Sequence, residues 1–127
     1  MLPKNEKFVS PFRFDPFAVV MMAFRRLYPG KECECWIDQG EIKNKDGETV
    51  YGITEQYEDG ELSVRVSASL SISDAVEVFA HELAHVAVGM DAQHGPEFEK
   101  ANDRIFEEYN RILEELGEED MDVPLSQ

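Results

Sequence analysis

Hydrophobic positions return at helical spacing near the start of the chain, directly behind Asp15-Pro16. An aspartate followed by proline is typical of a helix N-cap with proline at the first helical position. The apolar positions continue to Leu27, and Tyr28-Pro29-Gly30 ends the pattern. These signals predict a first helix whose apolar stripe belongs to the core.

Between positions 31 and 69 the hydrophobic period falls to two, which predicts β-strands. A turn over residues 43–47 separates the first two strands, and Asp59-Gly60 suits a type I′ hairpin between the last two. We expect the second and third strands to pair antiparallel, with the first strand beside them or at an edge. The three predicted strands cover residues 33–37, 50–57 and 62–68.

Helical spacing resumes after Ser71 and Ser73, either of which can cap a helix that runs from Asp74 to Val88. His94-Gly95-Pro96 opens a last helix, whose apolar stripe ends at Gly117. The order of the elements predicts an α+β fold. It consists of an N-terminal helix, a small three-stranded antiparallel or mixed sheet, and two further helices.

The length of 127 residues fits one domain, which we place at residues 15–117. Residues 1–14 carry two prolines and no hydrophobic period, so they predict an extended N-terminal arm. Residues 118–127 are rich in acidic side chains and predict a disordered tail.

The formal charge of −15 at pH 7 is the strongest bulk signal. Such a field repels phosphates, so it argues against direct binding of DNA or RNA and favours a basic protein or peptide partner. Many of the acidic residues fall in the last third of the chain, which we interpret as a solvated helix face and the tail. A mimic of nucleic acid is a further hypothesis, and it rests on charge alone.

No apolar run in the sequence is long enough to span a bilayer, and residues 1–7 lack the hydrophobic region of a signal peptide. We therefore expect a cytoplasmic protein with no membrane partner. A phage or another mobile element could encode such a chain as well as a cell.

Cys33 and Cys35 are the only cysteines in the sequence, and in a strand they lie on the same face. A disulfide between them would close a tight, strained ring. Two thiolates could form half of a metal site, but there is no second pair of cysteines to complete a zinc ribbon. We interpret both cysteines as buried strand residues.

The strongest chemical signal is His81-Glu82-Leu83-Ala84-His85, inside an apolar run without a helix breaker. Residues four apart lie on one face of a helix, so both imidazoles can aim at one metal ion. All three histidines of the chain fall within residues 81–94. Histidines bonded inside a core are the simpler interpretation, but a buried glutamate beside them would need a metal or another partner. The pattern therefore predicts one Zn²⁺ per chain.

A hydrolytic zinc site takes three protein ligands and keeps one position open. His94, nine residues after His85, is the first candidate for the third ligand because it stands at the mouth of the last helix. Asp91 is the second candidate, since its spacing of six residues from His85 resembles that of the metzincins. Val88, however, occupies the position of the metzincin glycine, and Asp91 could instead orient a ligand.

Glu82 is the predicted general base, which can take a proton from water that the metal activates and pass it to the leaving amine. These roles predict a zinc metalloendopeptidase that hydrolyses peptide bonds. The alternative is a catalytically weak protein in which structural zinc supports a binding or assembly module. A structural site has no need of a base, so Glu82 favours the enzyme.

The helix motif, followed by His94-Gly95-Pro96-Glu97-Phe98, resembles the SprT-like and WLM metalloprotease families. Those families combine HExxH with a His-Gly-x-x-aromatic motif that opens the next helix. The resemblance is specific over residues 71–106, and the order of the elements is similar to that of a minimal zincin core. The site residues that it implies are the zinc ligands His81, His85 and His94 and the catalytic Glu82.

SprT-like proteins often carry a C-terminal zinc ribbon or DNA-binding segment, whereas this sequence ends in acidic residues without cysteines. We therefore expect the active site of the family without a role on DNA. In zincins the strand nearest the metal helix pairs with an extended substrate. The third predicted strand, Leu62–Ala68, is expected to do so because it leads directly into the metal helix.

Overall fold

The computed structural model describes residues 15–90 and 94–121, with side chains as far as residue 117. Within these ranges it is an α+β fold with three helices and a small mixed sheet, which confirms the predicted α+β class. No helix within these ranges is long and apolar enough to cross a membrane. The predicted arm and the end of the predicted tail lie outside the described residues. The helices are α1 (Pro16–Leu27), α2 (Ile72–Val88) and α3 (Pro96–Met121).

Three of the strands form a mixed sheet in the order β1, β5, β4, with β1 parallel and β4 antiparallel to β5. The predicted antiparallel pairing and the edge position of the first strand are both confirmed. β5 is therefore the central strand, hydrogen-bonded on both sides. The strands are β1 (Glu34–Asp38), β2 (Ile42–Lys43), β3 (Thr49–Val50), β4 (Gly52–Gln56) and β5 (Leu62–Ser67).

A small antiparallel hairpin of β2 and β3, which the sequence pattern does not predict, divides the second predicted strand. Val50 pairs with Ile42 in this hairpin, whereas Gly52 pairs with Val66 in the larger sheet. The chain therefore changes partners at Tyr51. Strand pairing depends on tertiary neighbours, so the alternation along the sequence shows one continuous strand where the structure has two.

The loop between β4 and β5 has three residues rather than the two of a type I′ hairpin, so the predicted turn type is wrong. Gly60 donates its N–H to the carbonyl of Tyr57, and Tyr57 donates its own N–H to Glu61. Gly60 has a φ of 91°, the left-handed conformation that ends a three-residue hairpin loop. The turn is nevertheless located where the Asp59-Gly60 pair predicts it.

Side chains cap the first two helices. Asp15 accepts hydrogen bonds from the backbone N–H groups of Phe17 and Ala18 at the start of α1. Of the two serines that could cap α2, Ser71 is the N-cap, and its hydroxyl accepts from the N–H of Asp74 at 3.1 Å. Each cap satisfies backbone donors that have no partner inside the helix.

α3 continues past Gly117, where the sequence predicts its end, and reaches Met121. Gly117 lacks the positive φ of a helix-terminating glycine, whereas Gly89 after α2 has a φ of 94°. A glycine inside a helix costs only about 1 kcal/mol relative to alanine, and the glutamates that follow are good helix formers. The first part of the predicted disordered tail is therefore helical.

Apolar side chains of β5 and all three helices form one core. Val64 and Val66 of β5 are buried there together with Ala80 and Leu83 of α2. α2 packs against β4, β5, α1 and α3, so neighbours on several sides fix its orientation. Because the helix is fixed, side chains on the face of α2 that has no such neighbour are also held in defined positions.

Two sets of ion pairs join elements around the core. Arg65 of β5 donates to Asp38 of β1 at 2.7 Å and to Glu55 of β4 at 3.2 Å. The buried Glu108 of α3 accepts a bond of 3.1 Å from Arg26 of α1. The first set connects all three strands of the sheet, and the second ties α1 to α3.

The prediction that both cysteines are buried is wrong. Cys33, which precedes β1, is half-buried, and Cys35 within β1 is exposed. The physical reason is the position of β1, which lies at an edge of the sheet and exposes most of its residues.

Candidate metal centre

α2 places His81 and His85 one turn apart on the same side of the helix, as their spacing predicts. Their ring centroids are 5.2 Å apart, and both side chains are partly exposed. Glu82, the neighbour of His81, is buried, with 7% of its surface exposed. The helix thus presents two imidazoles at an accessible face and holds a carboxyl group inside the protein.

His94 lies just before α3, and its ring reaches both histidines of α2. Its Nε2 atom is 3.0 Å from Nε2 of His85, and its ring centroid is 5.1 Å from that of His81. One ligand atom from each of the three residues lies within 4.8 Å of the others. The structure therefore brings the three predicted ligands together in a cluster that could bind a metal ion.

The donor atoms fit a borderline divalent cation, for which imidazole nitrogen is a suitable ligand. Nitrogen atoms about 2.05 Å from a tetrahedral ion stand about 3.3 Å apart, close to the 3.0 Å between His85 and His94. Burial lowers the pKa of His81 and lowers that of His85 to about 4, and neighbouring imidazoles add to both effects. Both rings of α2 are therefore neutral at neutral pH, the form that binds metal.

Asp91, the second candidate for the third ligand, lies outside the described residues. Its part in the site stays a prediction, as does its alternative part in orienting a ligand. Among the described residues, the ring nitrogens of the three histidines converge.

Phe98, the aromatic residue of the motif that follows His94, packs against every ring of the cluster. Its side chain is 4% exposed and lies in the first turn of α3. A buried aromatic ring in this place limits the orientations that the imidazoles can adopt. The centroid separations are 4.8 Å to His81, 4.4 Å to His85 and 4.9 Å to His94.

Thr54 of β4 holds the carboxyl group of Glu82 from the side of the sheet. The Thr54 hydroxyl lies 2.8 Å from Oε1 of Glu82 and 3.1 Å from the Glu82 backbone carbonyl, so it can donate to either oxygen. Both residues are buried. Burial raises the pKa of Glu82, and the hydrogen bond from Thr54 opposes that rise.

Gly52 allows β4 to approach α2 closely. A Cβ atom at this position would collide with Cγ1 of Val78 and would lie 3.1 Å from Oε2 of Glu82. Gly52 does not have a positive φ, so its lack of a side chain matters for space rather than for backbone conformation. The edge of the strand and the carboxyl group thus meet with no side chain between them.

Neither Gly52 nor Thr54 stands out in the sequence, although the alternation along β4 carries part of the signal. Residues two apart in a strand face the same side, so both face α2. The local sequence pattern does not indicate that β4 lies beside α2. That position follows from the sheet order, which is set by contacts far apart in the chain.

A cavity of about 470 Å³ lies between the start of β4 and α2. His81 and Glu82 line it next to Gly52, and the exposed Asp74 and Glu77 line it as well. A molecule in this cavity can reach the histidine cluster and the buried carboxyl group at the same time. The cavity therefore connects the candidate metal centre with the candidate base.

The prediction that the third strand, Leu62–Ala68, pairs with a substrate is wrong. That strand is β5, which already has β1 and β4 on its two sides. Among the described strands, β4 packs against α2 and has one edge that no other described strand pairs with. Adjacency in sequence is therefore misleading here, because β5 leads into α2 but lies inside the sheet.

Backbone hydrogen bonds identify the residues of β4 that face its outer edge. The carbonyl of Tyr51 accepts from Ser67, and the N–H of Tyr57 donates to Glu61. Residues in an antiparallel pair alternate between bonding toward the partner strand and away from it. No other strand in the described part of the chain pairs with the outer edge. The residues whose N–H and C=O groups point away from β5 are Gly52, Thr54 and Gln56.

Comparison of the chain with models of protein families, with curated proteins and with solved structures finds no match. The likeness to the SprT-like and WLM families stays a resemblance of motifs. The functional interpretation therefore rests on the residues of the site and their geometry.

Gly52→Ala is expected to lower the free energy of unfolding by about 1–3 kcal/mol, because the added Cβ forces β4 away from α2. Urea denaturation of the metal-free protein measures this change. Gly40→Ala is the matched control, since nothing lies within 4 Å of a Cβ there and its φ is not positive. Adding Val78→Ala to Gly52→Ala should recover part of the loss. Equal effects of the two glycine substitutions would contradict the close approach.

Proposed function

We propose that this protein is a zinc-dependent metalloendopeptidase with a zincin-like core of the SprT-like or WLM kind. The observation that carries the proposal is a cavity lined by both the buried carboxyl group of Glu82 and His81, one of three convergent imidazoles. Two histidines on a helix could serve structure alone. A carboxyl group that reaches the same accessible space has the position required of a general base.

Zinc is the proposed metal, one ion per chain, because three imidazole ligands leave one of its four positions open. A bound zinc ion supplies a Lewis acid that lowers the pKa of water and polarises a peptide carbonyl. Phe98 supports this role by restricting the three rings from the core side. The ligands would be His81, His85 and His94.

Glu82 carries out the proton transfers in this proposal. Its carboxylate takes a proton from the attacking water while the new C–O bond forms, and it delivers that proton to the amide nitrogen while the C–N bond breaks. One water and one peptide bond become a carboxylic acid and an amine, and the carboxylate is regenerated. Thr54 holds Oε1, whereas Oε2 lies toward Gly52 and the cavity.

The free edge of β4 supports an extended peptide as the substrate. A peptide that adds to this edge as a fourth strand gains backbone hydrogen bonds without a requirement for particular side chains. The edge begins at Gly52, beside Glu82, so a paired peptide would pass the proposed base. Because Gly52 has no side chain, such a peptide could lie close to Glu82.

The charge of this protein indicates which class of protein or peptide it would bind. The cavity is lined by the exposed carboxylates Asp74 and Glu77, and the chain has a net charge of −15. Both features attract cationic side chains and repel phosphate, so a basic polypeptide is the proposed partner and nucleic acid is not. The attraction should weaken with added salt because these groups are exposed.

Protein purified without a chelator and then dialysed against metal-free buffer, which removes exchangeable ions, is expected to retain about one zinc ion per chain. His94→Ala should remove most of it, since two imidazoles are left to hold the ion. Asp91→Ala tests the alternative ligand and should leave the zinc content unchanged. Plasma mass spectrometry gives the metal content per chain. The reverse pattern, with zinc lost only in Asp91→Ala, would contradict the three-histidine site.

Glu82→Gln should retain zinc but reduce peptide hydrolysis by at least about 100-fold, because glutamine keeps the shape and cannot accept the proton. Cleavage of a proteome-derived peptide library, read by mass spectrometry, measures activity without a known substrate. Glu107→Gln, an exposed position on α3, is the control for the loss of one negative charge.

Full activity in Glu82→Gln would rule out the proposed base. A wild-type protein that binds zinc yet cleaves no member of the library would favour the alternative function, a binding or assembly module with structural zinc. The two results are distinct, because the first requires measurable hydrolysis and the second requires its lack.

Glu82→Gln with a bound basic peptide from that library should show slower amide hydrogen exchange at the outer edge of β4, where N–H groups would pair with the peptide. Gly52 and Thr54 are the reporting positions, measured by NMR. Ile53 and Glu55 are the internal controls, since their N–H groups face β5. Exchange that slows equally at both sets, or at neither, would argue against edge pairing.

A further inference from the structure

Cys33 and Cys35 lie at the edge of the sheet opposite β4, in a part of the molecule that the proposed peptidase does not use. Their sulfur atoms are 3.7 Å apart, on the same face of the chain. Cys35 is exposed, so a solute can reach the pair directly.

We propose that these two cysteines form a second metal site, a chelating dithiol that binds one thiophilic d¹⁰ cation such as Zn²⁺. Two thiolates on a tetrahedral ion with Zn–S bonds of about 2.3 Å stand about 3.8 Å apart. The observed separation of 3.7 Å matches that value. The spacing of the two sulfur atoms therefore suits the binding of one ion.

The same geometry disfavours a disulfide between the two residues. The S–S bond of a disulfide is about 2.05 Å long, much shorter than the 3.7 Å between these sulfur atoms. β1 would have to bend, yet Cys35 is held in register with Val64 of β5. Chelation of a metal requires no such movement.

Nearby groups shift the pKa values of the two thiols in opposite directions. The hydrogen bond between them lowers the pKa of Cys35, with Arg25 acting in the same direction and desolvation against it. The same hydrogen bond, together with desolvation, raises the pKa of Cys33. The pair can thus exist as one thiol and one thiolate that share a proton. A divalent cation displaces that proton into solvent, and both sulfur atoms then become ligands.

Two thiolates fill only half of a tetrahedral coordination shell. Within residues 15–90 and 94–117, neither cysteine belongs to a group of three or more side chains placed to hold one ion. A cavity of about 610 Å³ borders Cys33 and leaves room for water or a small ligand at the remaining positions. A closed structural site fills all four positions, so we assign this one as an exchangeable site.

Titration of the fully reduced protein with Cd²⁺ tests the proposal, because cadmium–thiolate bonds absorb in the ultraviolet and cadmium–imidazole bonds do not. The chain has two cysteines, so this absorption reports on the pair alone. We expect one equivalent to saturate the signal, with at least about tenfold tighter binding than in Cys35→Ser, since the second thiolate binds intramolecularly. The His94→Ala background should give the same result, and added Zn²⁺ should remove the signal.

The double variant Cys33→Ser/Cys35→Ser should lose the absorption and keep the circular dichroism spectrum of the wild type, since neither side chain is fully buried. Equal affinity of the wild type and Cys35→Ser would overturn the chelate. One cadmium per two chains, together with a dimer in sedimentation, would also overturn it, because the ion would then bridge two copies.

Discussion

The hydrogen bond between Thr54 and Glu82 is the contact on which the candidate site depends. A buried carboxyl group is costly without a partner, and a cationic partner would depress its pKa and weaken it as a base. Thr54 supplies a neutral donor, so the group is satisfied while burial still favours the protonated form. This bond forms only if β4 lies directly on α2, and Gly52 provides the room for that approach. One small residue and one hydroxyl therefore determine where the proposed base sits.

Core and site share a single helix. Leu83 and Ala84, between the two histidines of α2, are fully buried, whereas His81 and His85 are partly exposed. Because protein cores are closely packed, the helix cannot shift the histidines without disturbing the core. The same holds for α3, because its Phe98 is buried in the core and contacts all three imidazole rings. Packing of α2 and α3 in the core thus positions the cluster.

The parts of the site that the sequence predicts are those set by local geometry. The four-residue spacing of His81 and His85 becomes one helix face in any α-helix, and the short segment to His94 brings that residue back to the same place. Thr54 and Gly52 could not be found in this way. Their role follows from the sheet order β1, β5, β4, which differs from the order of the strands in the chain. The same non-local order explains why β5 is not a free edge and why Cys35 is exposed.

Arg65 also affects which alternative strand pairings the chain can avoid. In β5 it lies between the apolar Val64 and Val66, and it bonds acidic residues of both neighbouring strands. A slip of one residue in the pairing would turn every side chain of the strand to the other face. The guanidinium would then enter the core without a partner, at a cost of several kcal/mol. A single cation thus disfavours sheets in which β5 is turned over by a slip of one residue.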